Sequence, residues 1–296
     1  MVRHKMARHT MVCCSGALAN VCFAVLLLLG LTACGSLEKE IVIPQPAYDR
    51  QLVVECYLEA GQPYQMLLTE SVEYLANPQL PTGSPIASPV PIVQDATVKI
   101  RYQNQTDELA FKPVIDTAAR KGYNYSLNKI VASDATTEYT LEITDPKGRT
   151  VTGKTRFLPF VPIKSLDWSF NDQDKAYLTL RFEDDPATED FYRFVVTRDS
   201  LSGDVESAFV FEDRFATNNE ITLGTGYEYE EGDTLFVTLF HIDKAYHDFL
   251  ESANDAAGAN GNPFAQPSQV KSTVTGGIGV FTTLVYDRQQ IVIAKK

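Results

Sequence analysis

Apolar residues fall on alternate positions along much of this chain, most cleanly in Thr97-Val98-Lys99-Ile100-Arg101-Tyr102 and Tyr139-Thr140-Leu141-Glu142-Ile143. A period of two sends successive side chains to opposite faces of an extended strand, so each run has one face to bury and one to wet. The runs are short and punctuated by turn residues. Asp145-Pro146-Lys147-Gly148 links the strand at 139–143 to Thr150-Val151-Thr152-Gly153-Lys154-Thr155. Leu52–Leu58 and Tyr64–Thr69 open the same region. Strands of this length and spacing predict an antiparallel sandwich over residues 52–158. Tyr139, near the start of a late strand, is a candidate tyrosine corner.

Pro159 and Pro162 flank the expected domain boundary. A second β-rich domain is predicted over 163–296, with strands at Ala176–Phe182, Phe191–Val196 and Thr234–Phe240. One helix is expected near 243–256, with Asp243 as N-cap and Ala245, Tyr246, Phe249 and Leu250 on one face, ending before Gly258. The tail carries Val270, Val274, Ile278, Val280 and Phe281 around Gly276-Gly277 and closes on Ile291-Val292-Ile293. Residues 75–92 contain five prolines, which forbid a helix or an inner strand and make a candidate contact loop.

The N-terminus fixes an address. Arg3, Lys5 and Arg8 precede an apolar run through Phe23–Leu29, the order of a secretion signal. Leu31-Thr32-Ala33-Cys34 then resembles the bacterial lipoprotein signal. That resemblance implies cleavage between Ala33 and Cys34 and lipidation (palmitate-type acylation) of Cys34. Residues 1–33 are read as signal and 34–51 as a tether, whose 18 residues reach at most ~60 Å extended. Removing the signal takes three of the 26 Lys+Arg and none of the 38 Asp+Glu, leaving a net charge of −15. Such a charge repels phosphate backbones, so a nucleic-acid partner is not expected, and the lipid is left as the membrane attachment. Cys13, Cys14 and Cys22 leave with the signal. Cys56 remains alone in the apolar run Leu52–Leu58, where it reads as a buried small residue rather than a nucleophile.

Several segments together resemble the DUF4249 family of Bacteroidota outer-membrane lipoproteins. They are Glu38-Lys39-Glu40-Ile41, Leu52-Val53-Val54-Glu55 with Gly61-Gln62-Pro63-Tyr64, Asp95-Ala96-Thr97-Val98, and Phe191-Tyr192-Arg193-Phe194. Tyr139-Thr140-Leu141, Gly232-Asp233-Thr234 and Asn262-Pro263-Phe264 ahead of Gly276-Gly277-Ile278-Gly279-Val280-Phe281 complete the set. The resemblance implies an immunoglobulin-like sandwich followed by a second β-rich, sandwich-like domain, and location on the outer membrane, lipid-anchored and facing the cell surface. It implies a TonB-dependent transporter of the SusC type as a partner, and it carries no catalytic residues. Asp116-Thr117-Ala118, Asp199-Ser200-Leu201 and Asp233-Thr234-Leu235 resemble Bacteroidota O-glycosylation sites, which makes Thr117, Ser200 and Thr234 candidate acceptors.

Chemistry is sparse. His241 and His247 stand six apart, and six residues on a helix turn ~240° net, so they should not share a metal. No His-Glu-x-x-His pair or Gly-x-Ser-x-Gly elbow occurs. The clusters Glu183-Asp184-Asp185-Pro186 and Glu228–Asp233 read as solvated turns, with calcium ligation or a carboxylate pair as the sharper alternatives. Trp168 reads as half-buried core. The expectation is therefore a mainly β, non-enzymatic surface lipoprotein without metal or cofactor. It would bind a small ligand, glycan or peptide, or serve a TonB-dependent transporter. A carboxylate-based hydrolase and a structural or adhesive surface protein are the rivals.

Overall fold

The computed structural model describes residues 49–72, 91–116, 121–134, 136–215, 219–259 and 269–295. These form fifteen strands and one long helix. The expected signal, the tether up to residue 48 and most of the proline-rich segment lie outside the described residues; the tether's last residue, Gln51, is already tied to Ser71, each backbone amide donating to the other residue at 2.9 Å.

The first core is a sandwich of two sheets. One contains β1 (Leu52–Glu59), β2 (Pro63–Glu70) and β5 (Lys121–Ile130). The other contains β3 (Thr97–Tyr102), β6 (Glu138–Thr144), β7 (Thr150–Arg156) and the short β14 (Val274–Thr275). β4 (Gln105–Asp116) belongs to both: residues 105–109 pair with β3 and residues 110–116 with β5, the register slipping between Phe111 and Val114 where Pro113 interrupts the ladder. Alternation has its expected result, because Val98, Ile100 and Tyr102 point inward with Leu141, Ile143 and Val151. Tyr139 is fully buried and its hydroxyl donates to the Ala132 carbonyl at 2.7 Å, the tyrosine-corner bond. At the turn 145–148, the buried Asp145 accepts from the amides of Lys147 and Arg149 and from the Arg149 guanidinium, which also reaches Glu70.

The second core lies between two further sheets. β8 (Ile163–Phe170), β9 (Ala176–Glu183) and β12 (Glu220–Tyr229) form one; β10 (Phe191–Arg198), β11 (Val205–Glu212) and β13 (Thr234–Ile242) contribute to the other. Leu178, Leu180 and Phe182 share the interior with Tyr192, Phe194, Val196, Leu235 and Val237. Trp168 is half-buried at this core's edge, its indole N–H donating to the Ala294 carbonyl at 2.8 Å.

The helix α1 (Lys244–Ala259) starts where the sequence indicates, the Asp243 carboxylate accepting from the Tyr246 amide at 2.8 Å. Two details differ. The helix continues through Gly258 to Ala259, Gly258 keeping a negative φ rather than the left-handed turn that would end it. Its buried face also holds His247 and Ser252, while Ala245 is exposed. Tyr246, Phe249 and Leu250 pack against Phe191, Ile242 and Val280 in a third small cluster.

One strand ties the cores together. β15 (Ile278–Val292) runs fifteen residues. Its first half pairs in parallel with β1, Val53 with Ile278 through Glu59 with Leu284. Its second half pairs antiparallel with β13, Val285 with His241 through Val292 with Thr234. Phe281 and Val285 pack into the first core, whereas Ile291 and the following Ile293 pack into the second. The segment 163–296 therefore does not keep to itself: residues 274–284 return to the first sandwich. The glycines before and inside this strand have a steric reason. Gly279 adopts φ +120°, and a Cβ there would stand 2.0 Å from the Val54 carbonyl oxygen.

Gly279→Ala should cost at least about 2 kcal/mol in chemical denaturation, combining strain with a backbone clash. Gly61, at φ +81° with open space around it, supplies the control: Gly61→Ala should cost only about 1 kcal/mol.

Candidate junction cleft and its support

The place where β15 passes from one core to the other is also where the chain leaves the first sandwich. Residues 157–160 of the linker, the end of β1 and residues 284–286 of β15 line an open cleft of about 540 Å³. That size falls within the range of small-molecule sites. Phe157, Leu284 and Val285 supply apolar wall, and Phe160 remains 59% exposed at the rim. Phe157 is fixed edge-on against the corner residue Tyr139 at 5.8 Å.

Polar groups line it as well. The Tyr286 hydroxyl donates to Glu59 Oε1 at 2.5 Å, and Ser133 lines the same space. The Tyr286 ring rests against Phe240 at 5.2 Å, with the Arg288 guanidinium over it at 4.5 Å. Burial, and then the Glu59 carboxylate, push the Tyr286 phenol above its ordinary value, which keeps it a hydrogen-bond donor. The linker is stitched to β15 at both ends: Thr283 Oγ1 donates to the Arg156 carbonyl at 2.8 Å, and the Ile163 amide donates to Asp287 at 2.8 Å. The cleft is thus built on held elements. Its carboxylate, phenol and hydroxyl can hydrogen-bond an organic ligand that its aromatic wall covers, and Glu59 disfavours anions.

Behind the wall lies a second group. His241 is 4% exposed, and its Nδ1 faces the Pro159 carbonyl at 2.9 Å while Nε2 faces Asp190 Oδ1 at 3.0 Å. Both ring nitrogens are thus engaged, which fixes the imidazole between the linker and Asp190. The other Asp190 oxygen accepts from Thr188 Oγ1 at 2.6 Å. Asp184 and Asp213 complete a set whose carboxylate oxygens lie within 4.8 Å of one another. Tyr192 stacks on His241 at 5.1 Å and donates to Asp184 Oδ1 at 2.5 Å. Burial, together with Asp213 and Asp190, raises Asp184 above the usual carboxylate value despite that bond. The carboxylates stand closer than the ~5–9.5 Å of a glycosidase pair. Asp184 is 7% exposed and Tyr192 fully buried, so this cluster supports Pro159 from inside rather than opening to a substrate.

The sequence-derived residues are dispersed. Ala33, Cys34 and Thr117 lie outside the described residues. Ser200 is exposed in the turn after β10, and Thr234 begins β13, its carbonyl accepting from the Asp199 amide at 2.9 Å. Cys56 is fully buried, its thiol pushed up to about 12 by desolvation. Of the acidic clusters, 228–233 behaves as a solvated turn with Glu230 and Glu231 exposed. At 183–186 the reading needs correction, because Asp184 points inward to Tyr192. The two histidines are buried on different elements and do not share a site. Glu59, Tyr286, Asp190 and Asp213 carry no local signal in the sequence, since only the β15 crossing brings Glu59 and Tyr286 together.

A buried carboxylate whose folded value is raised contributes stability that is complete below its unfolded value and is lost as pH rises through the folded one. Asp184→Asn should therefore stabilise the protein at pH 7, with the gain vanishing near pH ~3, as followed by calorimetry. Tyr192→Phe, which strips Asp184 of its donor, should cost about 1–3 kcal/mol at pH 7.

Among solved structures, the chain is similar to a cytokine receptor complex at 9% identity and TM-score 0.24, covering 66% of this chain and 86% of that one. It is also similar to the FN1–FN3 domains of chicken CNTN1 at 8% identity and TM-score 0.24, covering 81% of this chain and 64% of that one. At such values neither carries an argument about function. No curated protein matches. Residues 38–290 match the family described as a domain of unknown function, DUF4249, and the chain belongs to that family.

Proposed function

We propose that this protein is a non-enzymatic, lipid-anchored protein of the Bacteroidota outer membrane, facing the cell surface and holding a neutral or cationic organic ligand in its junction cleft. In this reading it works as an accessory of a TonB-dependent transporter of the SusC type. The observation that carries the reading is the cleft itself, lined by the Glu59–Tyr286 pair and Ser133 together with Phe157–Phe160 of the braced linker. His241, the histidine next to the wall, has both ring nitrogens engaged and is a brace rather than a free base. The anchor rests on Leu31-Thr32-Ala33-Cys34. A net charge of −15 after cleavage supports attachment through lipid rather than through surface electrostatics.

Cys34→Ala should move the protein from the outer-membrane fraction to the soluble fraction, and the wild-type chain purified from membranes should carry acyl mass on its first residue. The acylated protein should co-purify with a TonB-dependent transporter. Recovery without any transporter would overturn the accessory role, and an unchanged membrane fraction for Cys34→Ala would overturn the anchor.

A further inference from the structure

The first two turns of α1 contain a histidine that nothing else in the fold explains. The His247 side chain is 1% exposed, and neither ring nitrogen has a hydrogen-bond partner. Leaving a polar ring nitrogen buried and unpaired costs about 1–3 kcal/mol. A leucine or phenylalanine would fill the space against Phe191, whose ring centre is 5.0 Å away, without that cost.

Nδ1 is not aimed at nothing. It stands 3.5 Å from Asp248 Oδ1 and 3.7 Å from Glu251 Oε2. Both separations exceed the ~2.7–3.2 Å of an N–H···O bond. They fit a different arrangement. Around zinc, with ligands at ~2.0–2.2 Å, two ligands at the tetrahedral angle stand roughly 3.4 Å apart, and at a right angle roughly 3.0 Å apart. The three ligand atoms all lie within 4.8 Å of one another. Positions 247 and 251 share a helix face at i, i+4, and Asp248 reaches across from the next position. Glu251 is 54% exposed, which gives an ion a way in from solvent while the imidazole side stays dry.

We infer that His247, Asp248 and Glu251 form a binding site for a zinc-class divalent cation, with water completing the tetrahedron. One imidazole and two carboxylates suit zinc better than magnesium or calcium, which call for oxygen ligands throughout. Two ammonium groups now neutralise Asp248: Lys244 Nζ at 2.9 and 3.0 Å from its two oxygens, and Lys271 Nζ at 3.4 Å. Both lysines are 60% exposed on flexible stems, so an arriving cation can displace them. They set the affinity by competing for Asp248. The site is independent of the junction cleft and of the anchor.

The test is a Zn²⁺ titration of the full-length, detergent-purified protein against a chromophoric chelator, repeated with Co²⁺ for its spectrum. One equivalent of Zn²⁺ should bind, and Co²⁺ should give the intense visible absorption of a tetrahedral site. Glu251→Gln and Asp248→Asn, both substitutions on the solvent side, should each weaken binding at least tenfold. Lys244→Ala should tighten it, and Asp213→Asn, in the other carboxylate group, should leave it unchanged. No binding by the wild type overturns the site. So does an affinity that Glu251→Gln and Asp248→Asn leave unmoved, whatever His247 variants do to folding.

Discussion

The architecture depends on a single strand serving two sheets. β15 spends its first seven residues in a parallel ladder with β1 and its last eight in an antiparallel ladder with β13. A parallel partner needs a crossover connection rather than a hairpin. Here the crossover is most of the chain: β1 and β15 are separated by nearly everything between residues 59 and 278. Neither sandwich is finished until the last strand is laid down. A surface linker alone would leave the cores free to move, as inter-domain contacts of modest size usually do. A shared strand with continuous backbone hydrogen bonding does not.

This constraint also makes the cleft. Glu59 ends β1, Tyr286 follows the switch point of β15, and Phe157 to Phe160 form the exit from the first sandwich. They meet only because β15 holds its register on both sides. The tyrosine corner fixes Phe157 from one side and the His241–Pro159 contact fixes the linker from the other. The buried Asp184–Tyr192–His241–Asp190 group is therefore better understood as scaffold for the wall than as chemistry. Three carboxylates close together, with one held above its ordinary value, also carry an electrostatic cost at neutral pH that this bracing must outweigh.

Much of this is legible in the sequence for a local reason. Alternation marks which face of β3, β6, β7 and β9 goes inward, Asp243 announces the helix, and Tyr139 announces the corner. A one-face code works wherever a strand has one wet side. It fails where a residue's role is set by a distant partner. Nothing near Ile278–Leu284 shows that these residues return to β1, although Gly279, with φ +120° against Val54, is the trace of that close approach. The acidic run at 183–186 reads as solvated because charge is normally a surface signal, but Tyr192 draws Asp184 inside. His247 reads as ordinary because it stands six residues from His241 and in no recognisable metal or catalytic motif. The helix instead turns His247 under Phe191, exposes Ala245, and runs past Gly258.

Native-state hydrogen exchange along β15 tests the shared strand most directly. If one strand closes both cores, amides in 280–284 and in 285–291 exchange only through global unfolding, with the same opening free energy. Amides of one half exchanging at a free energy well below the other would mean that the two sandwiches open separately, and would contradict the account.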